Sequence, residues 1–290
     1  MKIGVVFPQI EIGADPGAIR SYAEAVSGLG YNHILAYEHV LGADASVHRS
    51  WDGPYDVRTT FHEPFVLFGY LAAVSSLELV TGIIILPQRQ SALVAKQAAE
   101  VDLLTGGRFR LGVGLGWNRV EYEALGKDFS NRGRRIAEQV ALLRRLWTEE
   151  SVSFAGEFET VTGAGIAPLP VQRPIPIWFG AQATSPAALR RAGRLADGWF
   201  PLVAPGAQLE DARRIVEAAA REAGRDPATI GMEGQVAFGG GDTERLEREI
   251  ETWRQSGASH LCVNTMGAGL GGADGHVGAL SALARLLARP

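Results

Sequence analysis

The chain has 290 residues, 46% of them hydrophobic and 21% charged, a globular balance with length for one large α/β domain or two small ones. A formal net charge of −4 offers no basic face to nucleic acid or an anionic membrane, and a single cysteine excludes an internal disulfide and any multi-cysteine zinc cage. No run approaches the ~18 apolar residues of a membrane span, and "MKIGVVFPQI" breaks at Pro8, too early for a signal segment, so a cytoplasmic protein without a membrane partner is expected.

Short apolar runs alternate with amphipathic ones from end to end. The first, "IGVVF" (3–7), is followed by "DPGAIRSYAEAVSGLG" (15–30). There Asp15 is a candidate N-cap, Pro16 suits the first helical position, and Gly28 and Gly30 stand near the exit. "HILAY" (33–37) comes next, then "LELVTGIIIL" (77–86). That run is apolar on both faces, as a buried parallel strand is, yet Gly82 sits in its middle, where glycine packs nothing. Either a simple bulge or a site of close backbone approach is implied. A helix follows from Ser91 to a stop at Gly106–Gly107, then the strand "FRLGVG" (109–114). "NRGRRIAEQVALLRRLWTEE" (131–150) carries Ile136, Val140, Leu143 and Trp147 on one helical stripe. Residues 151–174 interrupt the rhythm with alternating residues and prolines and are expected to form a hairpin-like excursion. The alternation resumes with "IPIWFG" (175–180), "DGWF" (197–200), "IGMEGQVAF" (230–238) and "HLCVN" (260–264), where Cys262 reads as strand filler.

About eight strand–helix pairs in roughly ~250 residues predict a (β/α)8 TIM barrel with an insertion between helix 4 and strand 5. A doubly wound open sheet is the alternative that the alternation leaves open. No linker or repeat divides the chain, so a single domain over 1–290 is the simplest count.

In such a barrel the active site lies at the carboxyl ends of the strands, where glycines and polar residues collect here. "FGAQATSP" ends a strand at Gly180 and opens a helix at Ser185–Pro186, either a plain N-cap or an anion seat made of free backbone N–H groups. Gly198 in "ADGWFP" adds a second glycine at the next strand end, and the two together favour a phosphate-bearing ligand. Gly112, Gly114 and Gly116 follow G-x-G-x-G, not G-x-G-x-x-G, which argues against a dinucleotide fingerprint; Trp117 is either core packing or a ligand-stacking ring. The six histidines show no H-x-H or H-E-x-x-H spacing, so no metal is expected. G-x-S-x-G is absent as well. His39, at a strand end beside Glu38, is the candidate proton-handling group, a capping histidine being the plain alternative.

In combination these residues resemble the bacterial luciferase-like superfamily, and within it the deazaflavin- and flavin-dependent oxidoreductases. The likeness covers almost the whole chain. It is densest in "LVTGIIILPQRQSALVAKQAAEVDLLTGGRFRLGVGLGWNRVEYEALG" (79–126), with support from "EHV" (38–40), "PLPVQRPIPIWFGA" (168–181), "RLADGWFP" (194–201) and "GASHLCVNTMGAG" (257–269). The resemblance implies a bulged third strand with a cis peptide at Gly82–Ile83 against the cofactor ring. It also implies a phosphate held by Gly180, Ala181, Ser185, Gly198 and Trp199, with Gly116, Trp117 and Asn118 flanking ring and ribityl chain. Glu38 and His39 match the family's acidic–His pair near the reactive carbon. One departure stands out: sugar-phosphate dehydrogenase members carry glutamate where this chain has Trp117. The expected activity is hydride transfer between coenzyme F420 and an unidentified small organic substrate. The alternatives are an FMN-dependent monooxygenase whose reduced flavin comes from a partner reductase, a cofactor binder without turnover, or a barrel lyase or hydrolase lacking flavin; a flavin or F420 reductase, according to the cofactor, is the expected protein partner. A homodimer is implied by the resemblance alone. Residues 41–62 and 151–174 are expected to overhang the mouth and set specificity, their mix of Trp51, Tyr55 and Phe61 with Arg49 and Arg58 suiting a partly aromatic or anionic substrate.

Overall fold

The computed structural model describes residues 1–287; the last three residues of the expected 1–290 domain lie outside the described residues. Elements follow in the order β1 (Lys2–Val6), α1 (Pro16–Gly28), β2 (His33–Ala36), α2 (Pro64–Val74), β3 (Glu78–Thr81), β4 (Ile84–Ile85), α3 (Ser91–Thr105), β5 (Phe109–Gly114), α4 (Arg119–Ala124) and α5 (Arg132–Thr148). Then come β6 (Val152–Ala155), β7 (Thr160–Ala164), β8 (Ile177–Ala181), α6 (Pro186–Leu195), β9 (Gly198–Pro201), α7 (Ala207–Glu222), β10 (Gly231–Ala237), α8 (Thr243–Gln255), β11 (His260–Asn264) and α9 (Ala273–Leu287).

The main sheet runs β3-β2-β1-β11-β10-β9-β8-β5-β4 and closes through a β3–β5 pairing, with every pair parallel. Because β3 and β4 are two parts of one stave, the nine strands make the eight staves of a (β/α)8 barrel, and the open-sheet alternative falls. Local signals set the helices. Asp15 caps α1 by accepting from Gly17 N and Ala18 N, and Gly106 ends α3 at φ 65°. The stripe Ile136, Val140, Leu143 and Trp147 of α5 is buried as expected. Alternation along each strand separates two cores. Val6, Leu35, Val80, Trp178, Phe200 and Cys262 cluster together, while their neighbours Val5, Ile34 and Leu79 join the larger layer shared with the helices.

The interruption "LVTGIII" is a β-bulge. Leu79 and Val80 pair with Phe109 and Arg110, and Ile84 and Ile85 with Val113 and Gly114. The third stave thus takes four steps, Val80 to Ile84, where its neighbour takes three, Arg110 to Val113. Thr81 repairs the ladder: its hydroxyl accepts from Gly112 N at 2.7 Å and donates to Gly112 O at 2.8 Å. The Gly82–Ile83 peptide is cis, as are Ala167–Pro168 and Arg173–Pro174.

The excursion between α5 and β8 is an antiparallel hairpin, β6 with β7. It leans on the outer wall. Glu138 of α5 accepts from the backbone N–H groups of 157–159, and Arg135 pairs with Glu159 at 2.9 Å. Among the described residues, no helix is long and apolar enough to cross a membrane.

Candidate active site

At the carboxyl ends of the staves lies a cavity of about 440 Å³, walled by the bulge, the segments after β2 and β5, and the starts of α5 and α6. Its floor follows from the extra residue in the third stave. Gly82 lies against Leu35, close enough that a Cβ would fall 2.1 Å from Leu35 Cδ2, and Ile83 is turned across the barrel mouth. There it covers Gly114 and Gly180, whose missing side chains make the room: a Cβ on Gly114 would lie 2.4 Å from Ile83 Cδ1, and one on Gly180 3.4 Å from Ile83 Cγ2. Gly116, at φ +66°, serves Ile85 in the same way. The glycines of "GVGLG" therefore admit two isoleucines rather than a pyrophosphate, and the result is an apolar shelf.

Glu38 and His39 both line the cavity but do not act on each other. Neighbours in extended chain face opposite ways. The Glu38 carboxylate accepts from Ile85 N at 2.5 Å and from Arg89 Nε at 2.8 Å, also meets Arg89 Nη2, and so pins the upper half of the bulged stave. Burial pushes this carboxyl above its ordinary range against the pull of Arg89. Arg89 in turn reaches Glu63, the N-cap of α2, at 2.8 Å. The expectation that Glu38 tunes His39 is thus corrected. The carboxylate beside His39 is Glu121 of α4, 3.5 Å from Nδ1. Asn118 is buried outside the cavity, capping α4 through Oδ1 and tying Nδ2 to Leu41 O and the Tyr55 hydroxyl.

The opposite end of the cavity is cationic. Ser185 caps α6, and Gln182, Ser185, Arg191 and Arg132 line this wall. Arg132 spends one N–H on Phe129 O and stacks on the Phe129 ring at 3.6 Å, while its Nε is buried without a partner. Among the described residues, neither Arg132 nor Arg191 has a carboxylate within 4.0 Å, unlike Arg135, which holds Glu159. Burial, with Arg194 and Arg132 nearby, lowers the Arg191 guanidinium below its ordinary value. Two uncompensated guanidiniums beside a helix N-terminus fit a phosphate.

Gly82, Ile83, Gly116, Trp117, Gly180 and Ser185 are all brought to the cavity. Ala181, Gly198 and Trp199 are not among its lining residues. Ala181 and Trp199 turn outward into the layer under the helices, and Gly198 is pressed against the Trp178 indole, 2.2 Å from where its Cβ would be. Sequence reasoning missed Arg132, Arg191 and Glu121. The Asn118–Glu121 spacing, that of a capping box, was the available signal for the last.

The 41–62 segment does reach the mouth. Trp117, 44% exposed, is backed by Trp51 and Tyr55 at 5.3 Å each, and Tyr55 and Phe61 lie 3.5 and 4.6 Å from the His39 ring. Arg58 is paired outside with Asp56 at 2.7 Å, and neither it nor Arg49 lines the cavity. No residue of 151–174 lines it either, because that hairpin packs on α5.

At the closed end of the barrel, His33, Glu233 and Cys262 lie within bonding distance of one another. Here Arg110 Nη1 already neutralises Glu233 at 2.6 Å, and His33 Nε2 meets Glu233 at 2.8 Å. This is an internally compensated charge cluster. Cys262 is buried in it, its thiol pushed up by burial and by Glu233, more than the strand filler expected from sequence.

The family model for luciferase-like monooxygenases matches residues 1–278. The chain belongs to that family. A hydroxymycolic acid dehydrogenase of Mycobacterium tuberculosis, described as F420-dependent, is 28% identical over 264 residues, 87% of this chain and 66% of that protein. An uncharacterized protein of the same organism is 44% identical over 141 residues, 48% of each chain, so the match spans about half the length of this relative. Among solved structures, an F420-dependent secondary alcohol dehydrogenase, in complex with an F420-acetone adduct, superposes with a TM-score of 0.76 at 19% identity, over 91% of this chain and 92% of that one. At that identity the likeness is one of fold. Relatives and structural neighbours of this luciferase-like chain include both F420- and FMN-dependent enzymes, so a flavin or deazaflavin is the cofactor class.

Proposed function

We propose that the protein is an F420-dependent oxidoreductase that exchanges a hydride with a small, largely uncharged organic substrate. The observation that carries this reading is one cavity joining an apolar shelf at Ile83 to an unpaired cationic end at Arg132 and Arg191, with His39 between aromatic rings on a third wall. The buried Arg132 Nε has no hydrogen-bond partner, which fits a guanidinium available to an anion. Ile83 and the bulge backbone would support the ring, and Ser185, Gln182, Arg132 and Arg191 would hold the phosphate. When bound, the deazaflavin supplies the hydride acceptor or donor. The protein's own part is to seat the ring, exclude water with Trp117 and Tyr55, and let His39 take or return the substrate's proton. Trp117, standing where sugar-phosphate dehydrogenases carry glutamate, disfavours that substrate class.

A second reading, an FMN-dependent monooxygenase, is favoured by the two guanidiniums, which suit a dianionic phosphate monoester. Parallel fluorescence titrations with F420 and FMN separate the two. Tight F420 quenching without oxygen uptake supports the first reading. Flavin-dependent oxygen uptake with a reductase supports the second, and quenching by neither ring overturns both. We also infer a homodimer, as the family resemblance implies; sedimentation as a monomer would refute it.

A further inference from the structure

The functional reading above gives His39 a proton to move but no partner to orient its ring, and the structure holds a carboxylate that the reading leaves idle. Glu121 is 1% exposed. Its Oε1 accepts from Val40 N at 2.8 Å and Leu41 N at 3.2 Å, and Gln88 Nε2 approaches Oε2 at 3.4 Å. Among the described residues, no arginine or lysine lies within 4.0 Å of it; its titratable neighbour is His39, with Nδ1 3.5 Å from the same Oε1. The two N–H donors belong to the residues directly after His39, so the carboxylate is locked to the backbone that carries the imidazole. His39 Nδ1 is buried and makes no hydrogen bond in the resting structure, and among the described residues Glu121 Oε1, at 3.5 Å, is the carboxylate oxygen within 4.0 Å of it. The ring faces on its packed sides Tyr55, Phe61 and Trp117. Of these only Tyr55 titrates, and burial pushes its phenol up, which keeps it neutral. Glu38, the preceding residue, is spent on Arg89 and Ile85.

Resting on that reading, we propose that Glu121 is the positioning residue of His39: it holds a proton on Nδ1 and so leaves Nε2 as the atom that exchanges a proton with the substrate. Free imidazole has no such constraint, and the wrong tautomer would place an N–H where a lone pair is needed. In the oxidative direction Nε2 would accept the hydroxyl proton while the carbinol carbon gives its hydride to the cofactor. In the reverse direction the imidazolium returns that proton to the oxygen.

The test is the two-bond 1H–15N spectrum of 15N-histidine-labelled protein without cofactor, at a pH where the rings are neutral, with His39→Asn identifying the signal. The expected result is a pyrrole-type Nδ1 and a pyridine-type Nε2 for His39. Glu121→Gln, whose carbonyl still accepts, keeps that pattern, and Glu121→Leu moves the proton to Nε2. A pyridine-type Nδ1 in the wild type overturns the proposal, as does a pyrrole-type Nδ1 that persists in a folded Glu121→Leu. Should that variant not fold, the wild-type spectrum alone decides. No cofactor enters this measurement, so failure of the F420 titration would defeat the functional reading and leave the dyad standing.

Discussion

The two ends of the barrel treat buried charge in opposite ways. At the closed end Arg110 is spanned by Glu233 at 2.6 Å and Glu78 at 3.2 Å, with the Trp178 ring 4.3 Å from its guanidinium. At the mouth the half-buried Arg132 and Arg191 line one wall, and among the described residues neither has a carboxylate within 4.0 Å. A charge taken out of water is stable only when paired, so a compensated cluster belongs to the fold and an uncompensated one awaits a ligand. The same cation thus stabilises one end and equips the other.

Removing one partner at the closed end gives the largest expected effect. Arg110→Met leaves Glu233 buried with His33 as its remaining basic partner and Glu78 without its arginine, and should cost about 3–5 kcal/mol of stability, read by chemical denaturation. The pH dependence follows from the same pair. Despite burial, His33 and Arg110 hold Glu233 well below its ordinary value of 4.5, so its stabilisation is complete above that value and is lost as the pH falls below it. Thermal melts in acid should therefore fall less steeply for Glu233→Gln than for the wild type.

Arg132→Ala and Arg191→Ala should do the reverse. Each is expected to weaken binding of the phosphate-bearing cofactor about tenfold or more, since a charge-assisted hydrogen bond contributes about 1.5–3 kcal/mol. The melting temperature should hold or rise, because like-charge crowding with Arg194 is relieved. A fall in stability that matches the loss of binding would break the contrast between the two ends.

The glycines between the ends sharpen it further. Gly112→Ala places a Cβ 1.9 Å from the Thr81 carbonyl oxygen, a backbone atom that cannot retreat, and should cost about 1–3 kcal/mol. Gly180→Ala meets Ile83 at 3.4 Å and Val113 O at 3.9 Å, both ordinary contacts, and should fold normally. Smallest of all, Arg58→Ala should leave turnover and melting temperature unchanged, since this exposed side chain pairs with Asp56 away from the cavity.

Much of this was legible along the chain. Asp15, Pro16, Gly106 and the α5 stripe announced their helices, and the Gly82 fault announced the bulge, because capping and periodicity act between residues a few positions apart. The site was legible only in part. Sequence adjacency suggested Glu38 as the partner of His39, but extended backbone sends the two side chains apart, and α4 carries Glu121 in from more than eighty positions away. Gly198 and Trp199 stand at a strand end, as cofactor residues would, yet inward and outward alternation commits them to Trp178 and to the helix layer.

By itself, then, the order of residues determined the alternation of strand and helix, the hairpin after α5, the interrupted third stave and the family. Tertiary structure alone decided which cations found a carboxylate and which did not, whether a strand-end glycine admits Ile83 or Trp178, and which acid reaches the imidazole. The reason is physical. Local patterns depend on nearest neighbours, whereas charge compensation and close approach depend on where barrel closure sets distant segments side by side.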